Sequence, residues 1–159
     1  MPRLVHYSKH PLSAIYSREQ TSSEEAPGMK SVGLWFSVEE EGRDDGWAEW
    51  CRDNDFHGDC LEHKTEVLLR PASYILRMST GEEIDAFTSK YGVKEYAGCI
   101  HMIDWRRVAS EFSGIVIAPY IYSRRLSLTS SWYYGWDCAS GCVWDAAAVE
   151  RVVPLGVSV

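Results

Sequence analysis

Apolar residues in this chain fall into short runs separated by polar, glycine or proline breaks. Leu4 to Tyr7 predicts a short first strand. The dense run SVGLWFSV, Ser31 to Val38, predicts another, broken only by Gly33. Between them Ser17 to Lys30 is polar and carries Pro27-Gly28, which predicts a long exposed loop. Trp47, Trp50 and Cys51 recur at i, i+3 and i+4, the spacing of one face of a short helix. EVLLRP and SYILRMS read as two strands separated by Pro71-Ala72.

Helix punctuation is sharpest in the middle of the chain. Thr80 and Glu83 have capping-box spacing, in which each side chain satisfies a backbone N–H near the other. They open a helix that should bury Ile84, Phe87 and Tyr91 and stop at Gly92. Asp104 is the expected N-cap of a second helix, with Trp105, Val108, Ala109 and Phe112 on one stripe and Gly114 as its end. GIVIAPY then predicts a buried strand stopped by Pro119, while SRRLSLTSSWYYGW fits neither period. GCVWD and ERVVPLGV are the expected last strands, joined by a short turn from Asp145 to Val149. Many strands, three short helices and no repeat predict one α+β domain over residues 1–159, with helices around a split or two-sheet β core.

Composition narrows the class. A chain of 159 residues can bury its own core without staples. No apolar stretch approaches the length of a membrane span, and MPRLVHYSKH lacks the charged-then-apolar order of a signal peptide. A cytoplasmic protein, at home in a bacterial or phage setting, is the expectation. The net charge of -7 argues against gripping duplex nucleic acid, which needs a basic face. It leaves open a nucleic-acid acceptor presented as a single base or an end. EEEGRDD, Glu39 to Asp45, reads as a solvated loop. Five cysteines, an odd number without a signal peptide, predict reduced thiols.

Several constellations compete for chemistry. Cys51, His57, Cys60 and His63 are all zinc-ligand types, but C-x5-H-x2-C-x2-H matches no common structural zinc spacing, and no metal site is expected. A Cys/His nucleophile pair is poorly specified, because five histidines offer partners and no cysteine has an electropositive neighbourhood. SSWYYGW reads as a tryptophan-rich surface that could face a partner. His6 near the end of the first strand, with Gly33, Trp35 and Ser37 on the next, supplies an imidazole, a close backbone approach, a flat ring and a hydroxyl. That set suits a nucleotide or a nicotinamide ring, or else Trp35 is ordinary core packing.

Three segments carry a resemblance. LVHYS resembles the LxHGS/T strand of ADP-ribosyltransferases of the H-Y-E type, which include the poly(ADP-ribose) polymerases and diphtheria toxin. GLWFSV resembles their GIYFAD/S strand, and ASGCVWDAAAV followed by ERVVPL resembles their closing NEYVVYDxxQV segment, in the same order along the chain. The resemblance covers about a fifth of the chain and implies an ADP-ribosyltransferase-like fold with NAD as substrate. It places His6 on the adenosine ribose, with Tyr7 and Ser8 beside it, Trp35 on the nicotinamide ring and Ser37 near the carboxamide. Two positions depart from the pattern: Tyr7 stands where glycine is frequent, and Ser140 stands where the family has its glutamate. A hydroxyl brings no negative charge to a cationic transition state, so Asp137, three positions earlier, is the expected substitute, with Asp145 a weaker one. The implied activity is transfer of ADP-ribose from NAD to a protein or nucleic-acid acceptor. The alternative is a non-catalytic binding or inhibitor protein of the same fold, acting through an acidic, aromatic-rich surface.

Overall fold

The computed structural model describes residues 1–56, 61–95 and 100–157. In chain order it runs β1 (Arg3–Ser8), β2 (Leu34–Glu39), α1 (Trp47–Asp53), β3 (His63–Leu69), β4 (Ile75–Met78), α2 (Gly81–Tyr91), β5 (Gly92–Glu95), β6 (Ile100–Ile103), α3 (Trp105–Glu111), β7 (Gly114–Ile117), β8 (Ser140–Val143) and β9 (Val149–Val157). Seven strands form one sheet in the order β4-β7-β8-β2-β1-β3-β9, and β5 pairs with β6 in a small second sheet. Neighbours in the large sheet run antiparallel except β4 and β7, which are parallel. The result is a single-domain α+β fold. Among the described residues no helix is long and apolar enough to cross a membrane.

The helix boundaries follow their local chemistry. Thr80 Oγ1 accepts from the Glu83 N–H, and Glu83 returns the bond to the Thr80 N–H, so the capping box fixes the start of α2. Ile84, Phe87 and Tyr91 are buried as their spacing requires. Asp104 caps α3 by accepting from the Arg107 N–H at 3.1 Å. α2 ends where the backbone turns extended at Gly92, a position that only glycine fits, since a Cβ there would come within 2.3 Å of the Thr88 carbonyl oxygen. The chain passes from it straight into β5, a four-residue strand too short to announce itself by alternation.

Every residue of β7 and β8 is buried, so neither strand alternates. Gly141, in the middle of β8, leaves room for its neighbours. A Cβ on it would stand 2.5 Å from Phe36 and 2.6 Å from the Ile115 carbonyl oxygen. The segment from Leu128 to Gly135, unassigned by periodicity, is two 3-10 turns separated by a kink at Ser130. It turns Trp132 and Tyr133 fully inward, and Trp136 follows them; all three are within 1 % of complete burial. The expected aromatic surface is therefore core, with Tyr134 alone of that group exposed. Burying an indole requires a partner for its N–H. Trp132 donates to Thr88 Oγ1 at 2.8 Å, Trp105 to the Gly28 carbonyl at 3.1 Å, and Trp136 to the Met29 carbonyl at 3.3 Å.

Strands joined by short connections are not always partners. β3 and β4 lie in opposite halves of the sheet, and β8 lies inside while β9 forms the edge beside β3. The three residues Ala146 to Ala148 that link β8 to β9 form a 3-10 turn, capped by the Asp145 carboxylate on the Ala147 N–H at 3.0 Å.

One irregularity of the sheet positions the site. β1 and β2 share only three registered pairs, Arg3 with Glu39, Leu4 with Val38 and Val5 with Ser37. Beyond Val5, β1 pairs with β3 as far as Ser8 opposite His63. Beyond Ser37, β2 pairs with β8 as far as Leu34 opposite Val143. The two strands thus part after the Val5–Ser37 pair and leave a cleft between them.

Candidate functional site

A cavity of about 230 Å³ occupies that cleft. His6 and Tyr7 approach it from β1, Trp35 and Ser37 from β2, and Asp137 and Ser140 from the segment entering β8. Lys30, Trp47, Trp136 and Cys138 also line it, as do Val5 of β1 and Phe36 of β2. Three stretches that are far apart in sequence therefore converge on one space, lined by His6, Tyr7, Trp35, Ser37, Asp137 and Ser140, all picked out from sequence. Ser8 does not: its hydroxyl donates to the His10 carbonyl at 2.7 Å, outside the cavity.

His6 sits where the ladder opens. Its Nδ1 lies 2.6 Å from the Trp35 carbonyl oxygen. A carbonyl only accepts, so Nδ1 carries the proton, and in the neutral ring Nε2 is left as an acceptor. Gly33 brings β2 against β8; a Cβ there would fall 2.5 Å from the Val143 carbonyl oxygen. Trp35 is held through its Nε1, which donates to the Ser31 carbonyl at 3.2 Å, and by an edge-on contact with Trp136 at 4.8 Å between ring centroids. The Lys30 ammonium lies 4.8 Å from the centre of the Trp35 ring. Ser37 Oγ accepts the Trp47 N–H at 2.9 Å, which ties the start of α1 to the cavity and keeps the Ser37 proton available.

Tyr7 fills the place of the expected glycine with a side chain. Its hydroxyl donates to Glu39 Oε1. Burial, reinforced by that hydrogen bond and by the charge on Glu39, pushes its pKa well above the ordinary tyrosine value. The hydroxyl therefore stays protonated and serves as a donor, so Tyr7 narrows the cavity and shapes its polar wall.

The segment before β8 bends inward, and backbone bonds hold it there. The Trp136 carbonyl accepts from the Tyr120 hydroxyl at 2.6 Å, the Ala139 N–H donates to the Asp45 carbonyl at 2.7 Å, and the Ala139 carbonyl accepts from the Val38 N–H at 2.9 Å. Asp137, half-buried, is placed on the cavity wall between these anchors. Ser140 is buried, and its hydroxyl donates to the Cys138 carbonyl at 3.0 Å. Asp145 lies apart from this cavity, engaged with the Ala147 N–H and the Ser113 hydroxyl.

The acidic loop is only partly the solvated segment that its composition suggests. Asp45 is tied to the site through its carbonyl, its Oδ2 accepts the Tyr120 N–H at 2.8 Å, and it pairs with Arg43. Burial works against its charge, but Arg43 and the Tyr120 N–H hold its carboxyl below the usual carboxylate range. Ser17 to Lys30 is likewise mostly exposed, except Gln20, which is buried and bonds both the N–H and the carbonyl of Val32.

Cysteine chemistry finds no support at the cavity. Burial pushes the Cys138 thiol up to about 12, and Cys142 behind it likewise to about 12. Both are thiols rather than thiolates at neutral pH. Of the four residues with zinc-ligand chemistry, His57 and Cys60 lie outside the described residues, Cys51 is buried on α1 and His63 begins β3. Among the described residues no three or more of His, Cys, Asp or Glu are grouped to hold a metal ion.

Sequence reasoning missed Lys30, Trp47, Trp136 and Cys138. Lys30 belongs to a loop without periodicity, and the indoles look like any packing residues until the fold brings them to the cleft. Comparison of the chain with protein-family models, curated proteins and solved structures found no match.

Proposed function

We propose that this chain is an ADP-ribosyltransferase-like protein that takes NAD as substrate and transfers ADP-ribose to a protein or nucleic-acid acceptor. One observation carries the reading: His6, Trp35 and the Asp137–Ser140 segment, which the family resemblance singled out in sequence, line a single cavity where β1 and β2 part. Its volume of about 230 Å³ lies below the roughly 300–1,000 Å³ usual for small-molecule sites. It suits the nicotinamide-ribose end of the dinucleotide, with the remainder lying along the open side.

In this reading the nicotinamide ring stacks on Trp35, Ser37 offers its proton to the carboxamide, and His6 Nε2 accepts from a hydroxyl of the adenosine ribose. The bond between nicotinamide and C1' of its ribose breaks, and its electron pair leaves with the nicotinamide. Positive charge grows on the ribose, and the Asp137 carboxylate opposes it. The acceptor's nucleophilic atom then bonds C1' and gives its proton to water or to Asp137. Positioning and electrostatics supply the rate, with no covalent enzyme intermediate.

The alternative, a non-catalytic binding protein, was expected to act through exposed SSWYYGW aromatics. Burial of Trp132, Tyr133 and Trp136 removes that anchor. The test of the transferase reading is nicotinamide release from NAD by the purified protein with cell extract as the acceptor source. Release above the protein-free control, with a raised melting temperature in millimolar NAD, is expected. Absence of both overturns the proposal.

A further inference from the structure

The chain segment from Gly28 to Val32 has no regular secondary structure, yet it is fastened at four of its five residues. Gly28 exchanges backbone hydrogen bonds with Ile103, each 3.0 Å long. The Met29 carbonyl accepts from Trp136 Nε1, and the Ser31 carbonyl accepts from Trp35 Nε1 at 3.2 Å. Val32 is held on both its N–H and its carbonyl by the Gln20 side-chain amide, at 2.8 and 2.7 Å. Lys30 is the residue in the middle. Two of the indoles that build the cavity therefore also fix the backbone on either side of one lysine.

That lysine reaches the mouth of the cavity, over the Trp35 ring, and no carboxylate pairs with it among the described residues. In a chain of net charge -7 an unpaired ammonium held at a cavity rim by buried anchors is conspicuous. Its present partner is the π face on which a planar ligand would stack. A ligand taking that face displaces the ammonium, which then needs an anion close by.

We infer that Lys30 is a substrate-positioning residue, which receives the diphosphate of the dinucleotide as the nicotinamide end takes the Trp35 face. The inference rests on the NAD reading above. It adds a requirement which that reading lacks: the site selects phosphate-bearing ligands, and the neutral base alone gains nothing from Lys30. Because the side chain is exposed and only its backbone is anchored, replacing it leaves the fold in place.

The experiment is calorimetric titration at low ionic strength of the intact protein, Lys30→Met and Lys30→Arg with NAD, ADP-ribose, nicotinamide and inorganic pyrophosphate. Low salt is used because an exposed charge is screened within about 10 Å at 0.1 M. Lys30→Met should weaken NAD and ADP-ribose binding about tenfold or more, leave nicotinamide within twofold, and keep the melting temperature; Lys30→Arg should recover most of the loss. Equal NAD affinity in Lys30→Met and the unaltered protein overturns the inference and leaves the NAD reading standing. Loss of nicotinamide binding along with NAD also overturns it, since that marks a structural effect. If the unaltered protein binds pyrophosphate or ADP-ribose through Lys30 but not NAD, the dinucleotide reading fails and the phosphate role of Lys30 holds. If it binds none of the three phosphate-bearing probes, the inference is overturned.

Discussion

Ser37 and Ser140 stand directly opposite one another on β2 and β8, yet their hydroxyls are differently committed. Ser37 Oγ accepts a backbone N–H and keeps its proton to offer, whereas Ser140 Oγ spends its proton on the Cys138 carbonyl. Neither brings a charge. Asp137, on the same wall, does.

From that contrast, Asp137→Asn should lower nicotinamide release about 100-fold, the usual order for one electrostatic contact to a developing charge. NAD affinity should stay within a few-fold. Ser140→Ala should cost less than tenfold, because its proton is already engaged within the chain. Initial rates under saturating NAD decide it; equal losses in the two variants would show that Asp137 is not the charge that matters.

Gly141→Ala is expected to destabilise the fold by about 2–3 kcal/mol, since the added methyl meets Phe36 and a backbone carbonyl that cannot retreat. In a domain of this size that corresponds to a fall in melting temperature of roughly 4–12 °C. A melt within a degree of the unaltered protein would contradict the packing described for β8.

Trp132→Ala should act on stability and not on partner capture. The side chain is completely buried and donates to Thr88, so its removal opens a cavity and orphans a hydroxyl interaction. A loss of about 3–5 kcal/mol is expected, visible in urea unfolding and near-ultraviolet dichroism. A variant as stable as its parent would mean that this indole is not core.

Stability should fall in alkali. Tyr120 is raised by burial from 10.0 to about 12, and Cys138 and Cys142 from 9.0 to about 12. From about pH 9 the unfolded chain gives up protons that the folded chain keeps. Between there and about pH 12 the unfolded state binds fewer protons, so each group lowers stability by up to about 1.4 kcal/mol per pH unit. Below about pH 9 the stabilisation from all three is intact. The urea midpoint should therefore be lower at pH 10.5 than at pH 8; an unchanged or higher midpoint would refute the burial of these groups. The same burial predicts that Cys138 and Cys142 escape alkylation at pH 8 until denaturant is added.

How far these elements could be read from sequence depended on where their causes lie. The α2 cap is written in two residues three apart, and Thr80 and Glu83 announced it fully. The faces of α1, α2 and α3 followed from spacing alone. β5 and β6 gave no such signal, because four-residue strands carry too few alternations. The 3-10 segment around Trp132 has a period close to neither template. Its clustered aromatics read as a partner-facing surface, although Trp132 and Tyr133 are wholly buried, as is Ser130, within 3.5 Å of Thr88 Oγ1. Site residues on regular strands, such as His6 and Trp35, could be picked out because strand motifs travel with their pattern. Lys30 and Trp47 could not, since only the tertiary path of a loop and the start of a helix bring them to the cleft.

The parting of β1 from β2 has a thermal consequence. Where two adjacent strands cease to pair, the sheet lacks rungs that a planar, hydrogen-bonding guest can supply from between them. A ligand held there would tie β1 to β2 where their ladder stops, so its binding would add to the cohesion of the sheet. If NAD binds as proposed, slower amide exchange along β1 and β2 should report it without any turnover.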